Sequence, residues 1–152
     1  MSNITYQEER LEGIQSDMLP LLSSHYKETD GSTGIPFDPN WESYFSLENL
    51  GLLHTITVRT GGVLVGYYLS VITPSLHSKD LLYCVNDAIY ILPRYRGAGV
   101  GKGLLNFVEH TMKERGVDVM TISMKRDLGF DKLCEKLGWV YTERVYTRDL
   151  RT

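Results

Sequence analysis

The chain has 152 residues, 42% of them hydrophobic and 23% charged, which suits one packed domain and excludes a disordered segment. Sixteen Lys and Arg against nineteen Asp and Glu leave a formal charge of -3, and no basic run stands out. A generic grip on nucleic acid or an anionic membrane, which rests on clustered cations, is therefore not expected.

The elements follow from periodicity. Residues 4–8 alternate and predict a first strand, and Leu11, Ile14, Met18, Leu21 and Leu22 recur at helical spacing, with Pro20 as a kink or boundary. Segment 29–39 carries Gly31, Gly34 and Pro36 and reads as a long loop. Asp38-Pro39 open a second short helix bearing Trp41, Tyr44, Phe45 and Leu47, which Gly51 closes. Residues 52–60 and 63–73, joined by Gly61-Gly62, predict a hairpin, and 81–92 a further strand ended by Pro93. An amphipathic helix follows over 99–115, with Val100, Leu104, Leu105, Val108 and Met112 as its buried stripe. The apolar run 117–124 predicts a strand covered on both faces, 127–137 a short helix stopped by Gly138, and the alternating 139–150 a last strand. The order β-α-α-β-β-β-α-β-α-β is a mixed α/β (α+β) layout in a single domain over 1–152, with one strand-turn-helix crossover at its centre.

Two cysteines, Cys84 and Cys134, are too few for a disulfide framework, and no metal-ligand spacing is present. The opening residues have no signal-peptide pattern, and the most apolar stretch, 63–72, is too short to span a bilayer. A cytoplasmic protein is expected, without membrane or metal.

The chemistry concentrates in Tyr90-Ile91-Leu92-Pro93-Arg94-Tyr95-Arg96-Gly97-Ala98-Gly99-Val100-Gly101-Lys102-Gly103, where a strand meets a helix through alternating glycines. Glycine lets a ligand approach the backbone, and the free amides of a helix start suit a phosphate. The Walker pattern fails, because Arg96 stands at its first glycine and Gly103 at its Ser/Thr. The dinucleotide G-x-G-x-x-G fails in both registers, at Lys102 and Leu104. What matches is Arg-x-x-Gly-x-Gly at Arg96, Gly99 and Gly101. A plain tight turn is the competing reading.

This run, from Ile89 to Gly101, closely resembles the coenzyme A pyrophosphate loop of GNAT acyltransferases. The element order, the hairpin with Val65-Gly66-Tyr67 and the late Glu135-Lys136-Leu137-Gly138-Trp139 are similar to that fold over nearly the whole chain. Small versions carried by tailed phages look nearest, through His25-Tyr26-Lys27-Glu28, Leu76-His77 and Asn86-Asp87, which would place the protein in a host cytoplasm. The resemblance implies a GNAT-like, mostly antiparallel sheet with a central β-α-β coenzyme-binding crossover. It implies acetyl-CoA as co-substrate, with the pantetheine arm along Ile89, Tyr90 and Ile91 and the pyrophosphate on Arg96, Gly97, Ala98, Gly99, Val100, Gly101 and Lys102. Direct attack by a neutral amine then needs a route for the amine proton and a donor to the leaving thiolate.

Asp87 is the candidate for the first task. Alternation puts it on one face with Val85, Ile89 and Ile91, an apolar setting in which a carboxylate needs a purpose or a partner. A salt bridge or cap is an equally open reading. For the second task the resemblance implies a tyrosine where this chain has Cys134, either a thiol acid or packing, with water, Tyr90, Tyr141 or Tyr146 as other donors. Asp127 and Phe130 also depart from the family's usual Asn and Ala. For the acceptor, the first two helices and the later turn offer His25, Tyr26, Glu28, Asp30, Asp38, Trp41, Tyr44 and His77, acids among aromatics that suit a cationic amine. His54 and His110 are given no role. The partners expected are a small-molecule amine or protein amino group, with a second copy of the chain as a further candidate. Two rival readings remain: a coenzyme-binding regulatory module without catalysis, and a transferase acting on a nucleic-acid amine through a rim of Lys79, Arg94 and Lys125.

Overall fold

The computed structural model describes residues 3–29, 33–125 and 129–151. Its elements are β1 (Ile4–Glu8), α1 (Leu11–Thr29), α2 (Trp41–Asn49), β2 (Leu53–Thr60), β3 (Val63–Pro74), β4 (Leu82–Ile91), α3 (Val100–Glu114), β5 (Val119–Thr121) and α4 (Phe130–Lys136). The strands lie in chain order in one sheet, antiparallel from β1 to β4, with β5 parallel to β4. Parallel pairing requires a crossover, which α3 supplies. This is the mixed α/β architecture expected from the sequence, with helices on both faces of an open sheet.

Two apolar clusters explain why the layers hold. On one face, Leu11, Ile14, Met18 and Leu21 of α1 pack on Leu53, Leu64, Tyr67, Leu69 and Tyr90 of the sheet. On the other, Val100, Leu104, Leu105, Val108 and Met112 of α3 and Cys134 of α4 pack on Ile56, Val58, Tyr68, Cys84, Ile89 and Ile91. A strand buried on both faces loses its simple alternation, and β2 is accordingly buried from Leu53 through Val58.

Three departures from the sequence expectations have physical causes. Pro20 neither ends nor delimits α1, which runs to Thr29; it sits on the exposed side, and the buried stripe carries the helix past it. The strand expected over 117–124 shrinks to Val119–Thr121, because β4 offers partners only at Tyr83, Cys84 and Val85. The last strand expected over 139–150 does not form: Trp139 packs against the core, and 140–151 is exposed, without a pairing strand among the described residues. Asp127, the expected start of α4, lies outside the described residues.

Candidate active site

The site begins where β4 and β5 part. After Val85 the two strands stop pairing, and the Asn86 side chain replaces the missing rung: its Nδ2 donates to Ser123 O at 2.9 Å while Ser123 N–H donates to its Oδ1 at 2.7 Å. Beyond it no strand among the described residues pairs with that edge of β4. Leu92 N–H donates to Val65 O of β3 at 2.9 Å. By the two-residue period, the backbone groups of Tyr90 and Ala88 then face β3, and those of Ile89 and Ile91 face the opening. Among the described residues no strand pairs with this edge of β4, which runs directly into the glycine turn.

After a single 3₁₀ turn at Pro93–Tyr95, the backbone is left-handed at three successive residues, Gly97 (φ 86°), Ala98 (φ 46°) and Gly99 (φ 81°). Glycine adopts this region freely, and successive residues of this kind turn their amides into an anion-binding concavity. Val100 N–H is held by Gly97 O at 3.2 Å, and the first i→i−4 bond into α3 runs from Gly103 N–H to Gly99 O at 2.9 Å. The amides of Gly101 and Lys102 come before that bond, at the positive end of the helix dipole. Gly103 has a different reason: a Cβ there would overlap the Tyr6 hydroxyl, which donates to Val100 O at 2.8 Å and ties β1 to the helix start. A Cβ on Gly101 would lie 3.0 Å from Leu133 Cδ2, so α4 closes on the same turn.

Arg96 stands over this cradle. Its Nε donates to Ile91 O and its Nη2 to Glu28 Oε2, both at 2.8 Å, and its guanidinium lies 5.4 Å from the Tyr90 ring centre. Tyr90 also donates to Glu28, at 2.8 Å. Burial pushes the Glu28 carboxyl up, but the bonds from Arg96 and Tyr90 outweigh it and hold the group below the usual carboxylate range. Burial and the same carboxylate push Tyr90 up to about 12. Glu28, expected in the acceptor pocket, therefore lies against the coenzyme-type loop.

A cavity of about 350 Å³ lies on the α1/α2 face, walled by Met18, Leu22, Phe37, Asp38, Asn40, Trp41, Tyr44, Leu69 and Asp87. Asp87 reaches it through a β-bulge: Leu69 pairs with Ala88 and Ser70 with Asn86, leaving Asp87 as the extra residue. The alternation that put Asp87 with Ile89 and Ile91 fails there. Those two face α3, whereas Asp87 turns to α2, is exposed, and accepts a 2.5 Å hydrogen bond from Tyr44 Oη. Burial, then the Asp87 charge, raise the Tyr44 phenol well above its ordinary range. Trp41 packs at 6.0 Å from Tyr44, ring centre to ring centre.

The other expected acceptor residues are scattered. His25 lies between cavity and turn, its Nδ1 2.6 Å from the Tyr67 hydroxyl and its ring stacked 4.6 Å from Tyr90. Tyr26 donates to Ile35 O, on the loop leading to the cavity. His77 is exposed in the β3–β4 turn, its N–H donating to Ser75 Oγ, away from the cavity walls. Asp30 lies outside the described residues. The apolar walls Met18, Leu22 and Phe37 were missed, and the helical stripe that contains Met18 and Leu22 was the signal available. His54 has both ring nitrogens engaged, with Glu8 and Gly51 O, and His110 pairs with Glu114 on the surface.

Cys134 is buried in the α3/α4 core, and burial, then the nearby Asp131 and Glu135, push its thiol up. That makes it a poor acid at neutral pH. Cys134→Ala is expected to cost about 1 kcal/mol, the price of a small cavity, and to leave turnover unchanged; denaturant melts with parallel rate assays check this. A large loss of turnover in Cys134→Ser at an unchanged melting temperature would make the thiol a participant.

No helix among the described residues is long and apolar enough to cross a membrane, and no group of three or more His, Cys, Asp or Glu among them is arranged to hold a metal ion. Comparison with curated proteins returned no match. Among solved structures, the ribosomal-protein-alanine N-acetyltransferase of Brucella melitensis biovar Abortus 2308 is similar, with a TM-score of 0.74 at 19% identity over 97% of this chain and 99% of that one. AAC(6')-Iy in complex with the bisubstrate analogue CoA-S-monomethyl-acetylneamine gives 0.71 at 19% identity, covering 99% and 100%. A predicted acetyltransferase with acetyl-CoA from Clostridium acetobutylicum gives 0.72 at 17% identity, covering 97% of each chain. The family model for the acetyltransferase (GNAT) family matches residues 17–139, from mid-α1 to the end of the α4 turn. The chain belongs to the acetyltransferase (GNAT) family.

Proposed function

We propose that this protein is an acetyl-CoA-dependent N-acetyltransferase that acetylates a primary amine carried by a cationic acceptor. The observation that carries this reading is the bulge at Asp87, which brings a carboxylate of the acceptor cavity onto the same strand whose open edge leads into the glycine turn. The coenzyme supplies the thioester to be attacked. The Ile89 backbone and the Ile91 N–H, whose own carbonyl is held by Arg96, suit pairing with its amide-bearing arm, and the amides after Arg96 suit its pyrophosphate. A Cβ at Gly97 or Gly99 would sit in open space at positive φ, so nothing crowds the turn at these two positions. Arg96, paired with Glu28 here, is the cation at that cradle, and a phosphate would compete with Glu28 for it.

On the acceptor side, Asp38 and Asp87 supply negative charge and Trp41 and Tyr44 supply aromatic surface, a combination that attracts ammonium groups. Asp87 receives the amine proton, and Tyr44 fixes its carboxylate. The proton for the departing thiolate comes from water, since Cys134 is buried, Tyr90 is raised to about 12 and already donates to Glu28, and Tyr141 and Tyr146 lie on the exposed 140–151 segment. The relatives named for a ribosomal-protein alanine and bound to an acetylneamine analogue support an amine acceptor. Two free, buried thiols support a reducing, cytoplasmic setting.

The test is a matched series of cationic, neutral and anionic primary amines assayed for kcat/KM at saturating acetyl-CoA. The reading expects the multiply cationic amines to lead by roughly tenfold or more, the worth of one to two favourable charge contacts near a surface. A flat series, or a preference for anionic amines, would remove the assigned acceptor class.

A further inference from the structure

Arg96 has calls on it from two directions. Its guanidinium is held on the α1 side of the sheet, where Nη2 donates to Glu28 Oε2 at 2.8 Å and the group lies 5.4 Å from the ring centre of Tyr90, a member of the α1-side cluster. The amides of Gly101 and Lys102 belong to the first turn of α3, and α3 packs on the other side of the sheet. An anion on those amides and the carboxylate of Glu28 pull the same cation opposite ways.

Glu28 itself is out of place for its helix. It is the last residue but one of α1 (Leu11–Thr29), at the negative end of the helix dipole, where a carboxylate is disfavoured. Its partners compensate: Oε2 takes Arg96 and Oε1 takes the Tyr90 hydroxyl, each at 2.8 Å. Tyr90 is fixed without help from Arg96, because its ring is buried and stacks on His25 at 4.6 Å. One of the two partners is therefore anchored, and the other sits on the turn that meets the ligand.

We propose that Glu28 is a competitor built into the coenzyme site, so that seating a pyrophosphate on the turn exchanges one anion of Arg96 for another. Glu28 has this role only if the turn is the coenzyme site proposed above, and there it works against affinity. Two anions on one guanidinium repel across the few ångströms that separate them, so the phosphate and Glu28 do not share it. Tyr90 stays behind and keeps the released carboxylate hydrogen-bonded beside the site. As the coenzyme leaves, Glu28 takes Arg96 back, which puts the lost affinity into the dissociation rate. A transferase must shed its spent coenzyme in every cycle, and such release often limits turnover.

Calorimetric titration of the full chain with coenzyme A, and with inorganic pyrophosphate as the anion alone, tests this without any acyl transfer. Glu28→Gln keeps the shape of the side chain and an oxygen for Tyr90 but removes the charge. It should bind both probes roughly threefold to tenfold more tightly; the gain is modest because the Arg96 and Glu28 side chains are 36% and 24% exposed and the pair is partly screened. Arg96→Gln should weaken both probes, and adding Glu28→Gln to it should restore nothing, since the carboxylate then has no cation to compete for. Unchanged or weaker binding in Glu28→Gln would make the carboxylate a prop for Arg96 and overturn the proposal. An equal gain in the Arg96→Gln background would overturn it too, as a general charge effect that does not pass through Arg96. Both of those results leave the coenzyme site standing, whereas a wild type that binds neither probe would remove the site and its competitor together.

Discussion

Gly99→Glu is expected to abolish acetyl-CoA binding while the fold survives. Gly99 sits at φ 81°, where a side chain costs about 1–3 kcal/mol of backbone strain, and at the mouth of the helix dipole, where a carboxylate would take the place of the incoming phosphate. Nothing lies within 4 Å of its Cβ direction, so the substitution adds no steric conflict with the core. Strain and like charge together should weaken affinity by roughly a hundredfold or more, since about 1.4 kcal/mol is tenfold. Calorimetric titration checks this, with Gly99→Ala as the control that keeps the strain and omits the charge. Unchanged affinity in a folded Gly99→Glu protein would detach coenzyme binding from the turn.

Asp87→Asn should lower kcat by roughly a hundredfold, the lower range for loss of a general base, with coenzyme affinity nearly unchanged. The bulge puts Asp87 on the cavity side of β4, whereas the edge proposed for the coenzyme is formed by Ile89 and Ile91, which separates the two readouts. The pH sign is specific. A protonated amine cannot attack, so the variant is most handicapped where the amine is charged, and its deficit should shrink as pH rises and the amine deprotonates unaided. A constant ratio of wild-type to variant rate across pH would assign Asp87 to holding Tyr44. Loss of folding in the variant would do the same.

How much of this was legible in the sequence depended on whether one segment's periodicity decided the matter. The stripe Val100, Leu104, Leu105, Val108 and Met112 is the buried face of α3, and the glycine run opens that helix as expected. The turn's left-handed residues extend to Ala98, which no sequence rule marks. The bulge was invisible for a similar reason: it inserts Asp87 without a glycine, and the alternation read through it placed the side chain on the wrong face. Glu28 was grouped with the acceptor residues by proximity in the chain, but α1 carries it to Arg96, 68 residues away. The extent of β5 depended on how far β4 stays alongside it, which composition does not encode. The 140–151 segment has the composition of a strand, but no strand among the described residues pairs with it, and composition alone does not supply that partner.

The central claim, transfer of an acetyl group from coenzyme to an amine, is tested most directly by following free thiol released from acetyl-CoA while the amine product is identified by mass spectrometry. The account predicts thiol release that requires a cationic primary amine, matches the acetylated amine one for one, and drops sharply in Asp87→Asn. Tight acetyl-CoA binding with no amine-dependent release across the series would contradict it and leave a coenzyme-binding module in its place.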